Sequence, residues 1–144
     1  MTIQQANQYF AALPDGFADP AQLGALLPVS VQQVQFVGVA GTAGKTAVAR
    51  LLAAILYAQG IRAGVYHAGC EPLAARIRVD GKPADEALLC RAADALAAHE
   101  DLPLQAAELV AAAYCFGEAD CTLAVVELPD AGLAAVLPQM PVCA

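Results

Sequence analysis

At 144 residues, with 59% apolar side chains against 15% charged ones, the chain has the length of one domain and enough apolar surface to bury a core, which excludes a disordered polypeptide. Its net charge of −7 excludes the positive field that non-specific nucleic-acid or anionic-membrane binding needs, so any anion site must draw on a few local groups. No apolar run is long enough to span a bilayer, and the N-terminus lacks the basic start and apolar core of a signal peptide.

The five cysteines form no C-x-x-C pair and read as small buried or half-buried thiols in a reducing compartment. A cytoplasmic location is therefore expected. The chain opens with Ile3, Ala6, Phe10 and Leu13 at near-helical spacing behind Thr2, a residue suited to capping a helix. Pro14-Asp15-Gly16 stops this helix, and Pro20 opens a second short one, through Leu27, that Pro28 ends. Residues 1–30 are thus expected to form a helical extension capping one edge of the sheet that follows.

Val34 to Val39 is an apolar β-type run, and Ala40-Gly41-Thr42-Ala43-Gly44-Lys45-Thr46-Ala47 leads from it into an amphipathic helix. This is the grammar of a phosphate-binding loop. Gly41 and Gly44 let the backbone curl so that successive N–H groups face phosphate oxygens, and the helix adds unpaired amides and the positive end of its dipole. Lys45 can reach the β- and γ-phosphates, and the Thr46 hydroxyl can ligate Mg²⁺. The strict spacing asks for glycine where Val39 stands. The alternative is a strand-to-helix turn whose glycines serve packing, but the flanking strand and helix favour a phosphate site.

Val48, Leu51, Leu52, Ile55 and Leu56 recur at i, i+3, i+4, i+7 and i+8, which predicts one apolar helix face packed on a sheet. Gly60 ends the helix and Ile61 to His67 forms the next strand, completing a βαβ unit with parallel strands. His67, Cys70 and Glu71 then invite a metal or catalytic reading. No ligand spacing matches, so a polar loop at a strand end is the favoured account. Helices are expected over Ala84 to His99, with Asp85, Glu86, Arg91 and Asp94 toward water, and over Leu104 to Phe116, ended by Gly117. Cys121 to Val126 is a continuous apolar run closing on Glu127. A buried parallel strand ending in an acid places that carboxylate beside a phosphate loop, where it can hold Mg²⁺ directly or through water.

Ala40 to Thr46 resembles the A-G-T-x-G-K-[TG] loop of the Mur ligases and folylpolyglutamate synthases, which also lack the earlier glycine. Arg76-Ile77-Arg78-Val79-Asp80-Gly81-Lys82-Pro83 is similar to the E-R-I-R-V-N-G-x-P segment of the folylpolyglutamate synthases, and Ala124-Val125-Val126-Glu127 to their A-V-L-E. Phe17, Pro20 and Leu23 keep part of their F-G-x-x-P-G-L-x-R-I segment. The departures are as specific. The T-S-P-H-L segment is absent from the region of His67 to Glu71, Ala75 stands for a catalytic-loop glutamate, and Leu128-Pro129-Asp130 replaces a glycine-rich, arginine-bearing loop. Pro103 and Glu108 keep a P-x-F-F-E pattern out of register, making Glu108 a metal-shell candidate against the plainer reading of a solvated helix glutamate.

The resemblance implies an α/β, three-layer P-loop-type core with a mainly parallel sheet over residues 31–144, carrying the N-terminal helical extension of residues 1–30. It also implies ATP and Mg²⁺ as cofactors, nucleotide held by Gly41, Thr42, Ala43, Gly44, Lys45, Thr46 and Ala47, and metal held by Thr46 and Glu127. Members of the family make an acyl phosphate from a carboxylate and ATP, which an amine then displaces; the implied acceptor is a folate and the donor glutamate. Lys45 is the implied catalytic residue, neutralising charge on the phosphoryl group. The chain resembles only the first part of a family member, so it is not expected to complete ligation alone. A non-catalytic interaction protein that keeps the fold, or half of a split ligase, are the alternatives. An incomplete final strand would leave a sheet edge open to a second copy or a partner chain.

Overall fold

The structure is a computed structural model that describes residues 1–16, 26–40, 44–67, 69, 71–99, 102–128 and 142–143. Six strands are found among the described residues: β1 (Gln35–Val39), β2 (Ala63–Tyr66), β3 (Ile77–Val79), β4 (Lys82–Pro83), β5 (Leu123–Glu127) and β6 (Val142–Cys143). They form one sheet of order β4-β3-β2-β5-β1-β6. β5 pairs in parallel with both β1 and β2, and β1 pairs in parallel with β6. β3 and β4 add an antiparallel edge. The fold is thus α/β with a mainly parallel sheet, and its central strands are apolar because both of their faces are covered. β1 and β2 run parallel, as the βαβ pattern predicts, but are not neighbours. β5 lies between them, with Val125 opposite both Val37 and Val65.

The helices follow from local chemistry. In α1 (Ile3–Ala11) the Thr2 hydroxyl accepts from the Gln5 amide while the Gln5 side chain accepts from the Thr2 amide, a reciprocal cap that satisfies two otherwise unpaired donors. α2 (Lys45–Ala58) follows β1, and α4 (Glu86–Ala97) starts where the Asp85 carboxylate accepts from the Ala87 amide. α3 (Leu73–Arg76) is one turn before β3. α5 (Leu104–Glu118) runs through Gly117 instead of stopping at it, and is capped by Ala119. Most of the second short helix expected from Pro20 lies outside the described residues, and Leu26 and Leu27 at its end are in a turn.

Two cores form on opposite faces of the sheet. The larger joins α1, α4 and α5 to the sheet through Phe10, Leu89, Leu109, Phe116 and Phe36. The smaller, under α2, holds Val39, Ala49, Val65 and Val125 as its buried residues among those described. α5 is inaccessible around nearly its whole circumference from Ala106 to Gly117, because it packs against α4, α1 and the short 3₁₀ turn Val29–Gln33. Its Phe116 ring lies on β2 where Gly64 stands, and a Cβ at that position would overlap the ring. The expected apolar face of α2 needs correction. Ala49, Leu52, Ala53 and Leu56 meet the sheet, whereas Val48, Leu51 and Ile55 stay 44%, 62% and 49% exposed. The apolar arc of this helix is wider than its sheet contact, and the predicted set mixed the two parts.

β3 and β4 form a hairpin whose turn, Asp80-Gly81, has φ of 50° and 77°. Two left-handed residues suit a tight two-residue connection, and Asp-Gly is a strong sequence signal for one that the reading above passed over. Burial pushes the Cys115 thiol up to about 12 and the Cys121 thiol to about 11, so both remain protonated as core side chains. Among the described residues no helix is long and apolar enough to cross a membrane.

Replacing Gly64 with alanine forces the Phe116 ring out of its seat. The expected loss is about 1–3 kcal/mol, read as a lower urea midpoint at unchanged slope.

Candidate functional site

The C-terminal ends of the parallel strands carry the candidate site, where open α/β sheets place their ligands. Gly44 is the N-cap of α2 with φ +78°, a left-handed conformation that a side chain would strain. The first α2 amide to find an intrahelical acceptor is that of Val48, 3.0 Å from the Gly44 carbonyl. The amides of Lys45, Thr46 and Ala47 precede that bond and have no such acceptor, so they present the positive helix end to the same space. Lys45 and Thr46 are half-buried and Ala47 is exposed. Gly41, Thr42 and Ala43, the other residues expected to hold nucleotide, lie outside the described residues.

Glu127 ends β5 and is buried. The parallel register sets it opposite Val39, the last residue of β1, and the next amide, Leu128, donates to the Val39 carbonyl at 2.8 Å. The Thr46 hydroxyl donates to Glu127 Oε2 at 2.7 Å. Two residues 81 positions apart, singled out in the sequence as one metal site, are therefore in direct contact. Mg²⁺ prefers a few hard oxygen ligands completed by water and substrate phosphates. A threonine hydroxyl and a carboxylate fit that preference.

A second polar group lies beside the first. Arg76 Nη2 and Glu108 Oε2 form an ion pair, and Arg76 Nε also donates to the Glu71 carbonyl at 2.9 Å. Both charged residues are less than a tenth exposed, which corrects the reading of Glu108 as a solvated helix glutamate. Glu108 sits in a helix buried on nearly every side, so its carboxylate needs a charged partner. Burial opposes the charge on Arg76, but the hydrogen bond and field of Glu108 outweigh it and raise the pKa of the guanidinium. Burial, reinforced by the Glu108 charge, also raises the Tyr66 phenol.

These groups line a cleft of about 550 Å³, together with Asn7 and Phe10 of α1, Gln105 of α5 and Glu127. Glu127 thus borders both the turn into α2 and this cleft. The ion pair was missed in the sequence, although a lone glutamate in an alanine-rich apolar helix and an arginine at the start of an apolar strand were its signals.

The grouping of His67, Cys70 and Glu71 is not supported. His67 is buried just past β2, with Nε2 3.5 Å from Arg50 Nη2, whereas Glu71 is exposed and Cys70 lies outside the described residues. Among the described residues no three His, Cys, Asp or Glu side chains gather as a metal-binding cluster.

Fold and site together define an α/β domain with a strand–turn–helix junction and an acidic strand end on one sheet edge. Solved structures of folylpolyglutamate synthases are similar to it. FPGS in complex with AMPPCP and folate matches with a TM-score of 0.81 at 23% identity, over 98% of this chain and 38% of that one. Folylpolyglutamate synthetase from Lactobacillus casei matches with a TM-score of 0.77 at 24% identity, over 90% and 37%. Mycobacterium tuberculosis folylpolyglutamate synthase complexed with ADP matches with a TM-score of 0.76 at 24% identity, over 93% and 34%. The chain shares their fold and spans little more than a third of their length. No protein-family model matches it, and neither does any curated protein.

Truncating Glu108 to alanine strands a buried arginine and is expected to cost about 3–5 kcal/mol. The double replacement Arg76→Met with Glu108→Leu should recover most of that loss in urea unfolding. Equal losses in both variants would show that the site depends on packing and not on charge pairing.

Proposed function

We propose that this chain is an ATP- and Mg²⁺-binding module of the folylpolyglutamate synthase type, a single domain with a helical extension at residues 1–30 and a P-loop core at residues 31–144. The observation that carries the reading is the 2.7 Å contact between Thr46 and Glu127 at the mouth of α2. Gly41 to Ala47 are the residues we assign to the phosphates, with Lys45 as the charge that neutralises the terminal phosphoryl group. Thr46 and Glu127 hold Mg²⁺, which when bound draws negative charge from the phosphate oxygens. The fold supports this reading, since the similar structures include complexes with AMPPCP and with ADP.

The acceptor side of the reading rests on the cleft. A carboxylate substrate lying there, flanked by Phe10 and Tyr66, has its acid end next to Glu127 and so next to the phosphate turn. Folate is present in one of the similar structures, and a folate-like carboxylate is the acceptor we propose. The work of the chain's own residues is to orient that carboxylate and the terminal phosphate toward each other.

A second reading is favoured by one observation, the exposed apolar side chains of α2: a protein that keeps the fold for interaction, or one half of a split ligase. Calorimetric titration of ATP with Mg²⁺ separates the readings. The nucleotide module binds ATP, and Lys45→Ala weakens binding by about 100-fold, near 3 kcal/mol. A folded chain that takes up no heat with ATP, or binds it equally well without Lys45, would overturn the nucleotide reading.

A further inference from the structure

Four of the large hydrophobic side chains that are exposed among the described residues stand on one helix: Val48, Leu51, Ile55 and Tyr57 of α2, at 44%, 62%, 49% and 62% exposure. Concentration is the point, because scattered exposed apolar residues are ordinary whereas a contiguous set marks an interaction surface. At 100° per residue, Val48, Leu51 and Ile55 form one flank of the exposed arc, at spacings of three and four. Arg50, Ala54 and Tyr57 form the other. Between the flanks the crest carries only alanines, Ala47 and Ala58 with Ala54 at its edge, which lets a second helix approach closely.

The flank with Arg50 and Tyr57 continues into a groove of about 590 Å³ over the sheet, floored by Ala63 and Val65 of β2 and walled by Arg78 of β3. Among the described residues one helix covers this face of the sheet, and the small core beneath α2 reflects that. Cations outnumber acids on this surface: Arg50 and Arg78 line the groove against one carboxylate, and α2 contains no acidic residue. Arg78 donates to the Gly81 carbonyl at 2.6 Å, and among the described residues neither Arg50 nor Arg78 has a carboxylate at ion-pairing distance. The one carboxylate of the groove, Asp80, is held by Arg62 at 3.1 Å and by the Ala63 amide at 3.2 Å. A cationic surface on a chain of net charge −7 is the local exception.

We propose that the outer face of α2 and the adjoining groove dock an acidic amphipathic helix of a partner protein, its apolar stripe against Leu51 and Ile55 and its carboxylates toward Arg50 and Arg78. Charge decides between this occupant and the others. A second copy would bring α2 against α2, arginine against arginine, with Asp80 already held by Arg62, and an anionic membrane would repel the rest of the chain. Val48, Leu51 and Ile55 stand at i, i+3 and i+7, a spacing that an amphipathic helix can match with anchors of its own.

The test uses the whole chain and two synthetic helical peptides of about three heptads, with leucine at a and d and either glutamate or lysine at the remaining surface positions. Fluorescence anisotropy should show saturable binding of the glutamate peptide, severalfold weaker in added salt, and at least about tenfold weaker with Leu51→Asp. Arg50→Glu should shift preference toward the lysine peptide. If Leu51→Asp does not fold by circular dichroism, the exposed Arg50→Glu variant carries the test alone. Equal binding of both peptides, or no saturable binding of either, would overturn the proposal. So would a chain dimer in sedimentation equilibrium that Arg50→Glu leaves intact and Leu51→Asp dissociates, or binding to phosphatidylserine vesicles that Leu51→Asp abolishes.

Discussion

Val39 and Glu127 face each other at the ends of β1 and β5, and the Leu128 amide closes on the Val39 carbonyl just beyond them. This parallel register is the constraint on which the site depends. A slip of one residue would turn Glu127 to the opposite face of the sheet, because strand side chains alternate. The register is held by apolar side chains that must stay on their own faces: Phe36, Ala124 and Val126 in the larger core, and Val39 and Val125 under α2. Thr46 then meets Glu127 because α2 begins at Lys45, a few residues after β1 ends at Val39. The polar contact is thus positioned by burial that is chemically unrelated to it.

The other half of the site is built by a helix that has no exposed face. α5 is locked between the sheet and the helical layer, and Phe116 takes its place only because β2 offers glycine there. A charged residue within such a helix is costly unless paired, and Arg76, immediately before β3, supplies the pair for Glu108. The ion pair forms a wall of the cleft shared with Glu127. Charge that is expensive to bury is thereby placed at the rim of a ligand-sized space, while the apolar side chains hold the layers together. On the opposite face the balance is reversed: among the described residues one helix covers the sheet and leaves apolar surface to solvent.

The sequence made some of this readable and hid the rest for physical reasons. The Gly44-Lys45-Thr46 junction and the acid ending an apolar run were legible because both are local patterns, each carried by adjacent residues. Their meeting was inferred from the placement of an acid at the end of a buried parallel strand and from the resemblance, and the contact at 2.7 Å is a property of strand register that no local pattern contains. The insertion of β5 between β1 and β2 is likewise a choice of topology. Glu108 was misread because its spacing suits a solvated position, whereas helices pack around α5 from several sides. The face of α2 was misread for the opposite reason: its apolar arc promised more burial than one sheet contact provides. The Asp80-Gly81 hairpin, in contrast, was present in the sequence as a turn dipeptide.

The central claim is that Thr46 and Glu127 act as one metal–phosphate unit. A double-mutant cycle on the affinity for ATP with Mg²⁺ tests it most directly, using Thr46→Val, Glu127→Gln and the two together, each checked for folding. The account predicts that the second replacement costs little once the first is made, with a coupling well above the ~0.5 kcal/mol scatter of independent sites. Additive effects, or affinities unchanged by either replacement, would contradict it.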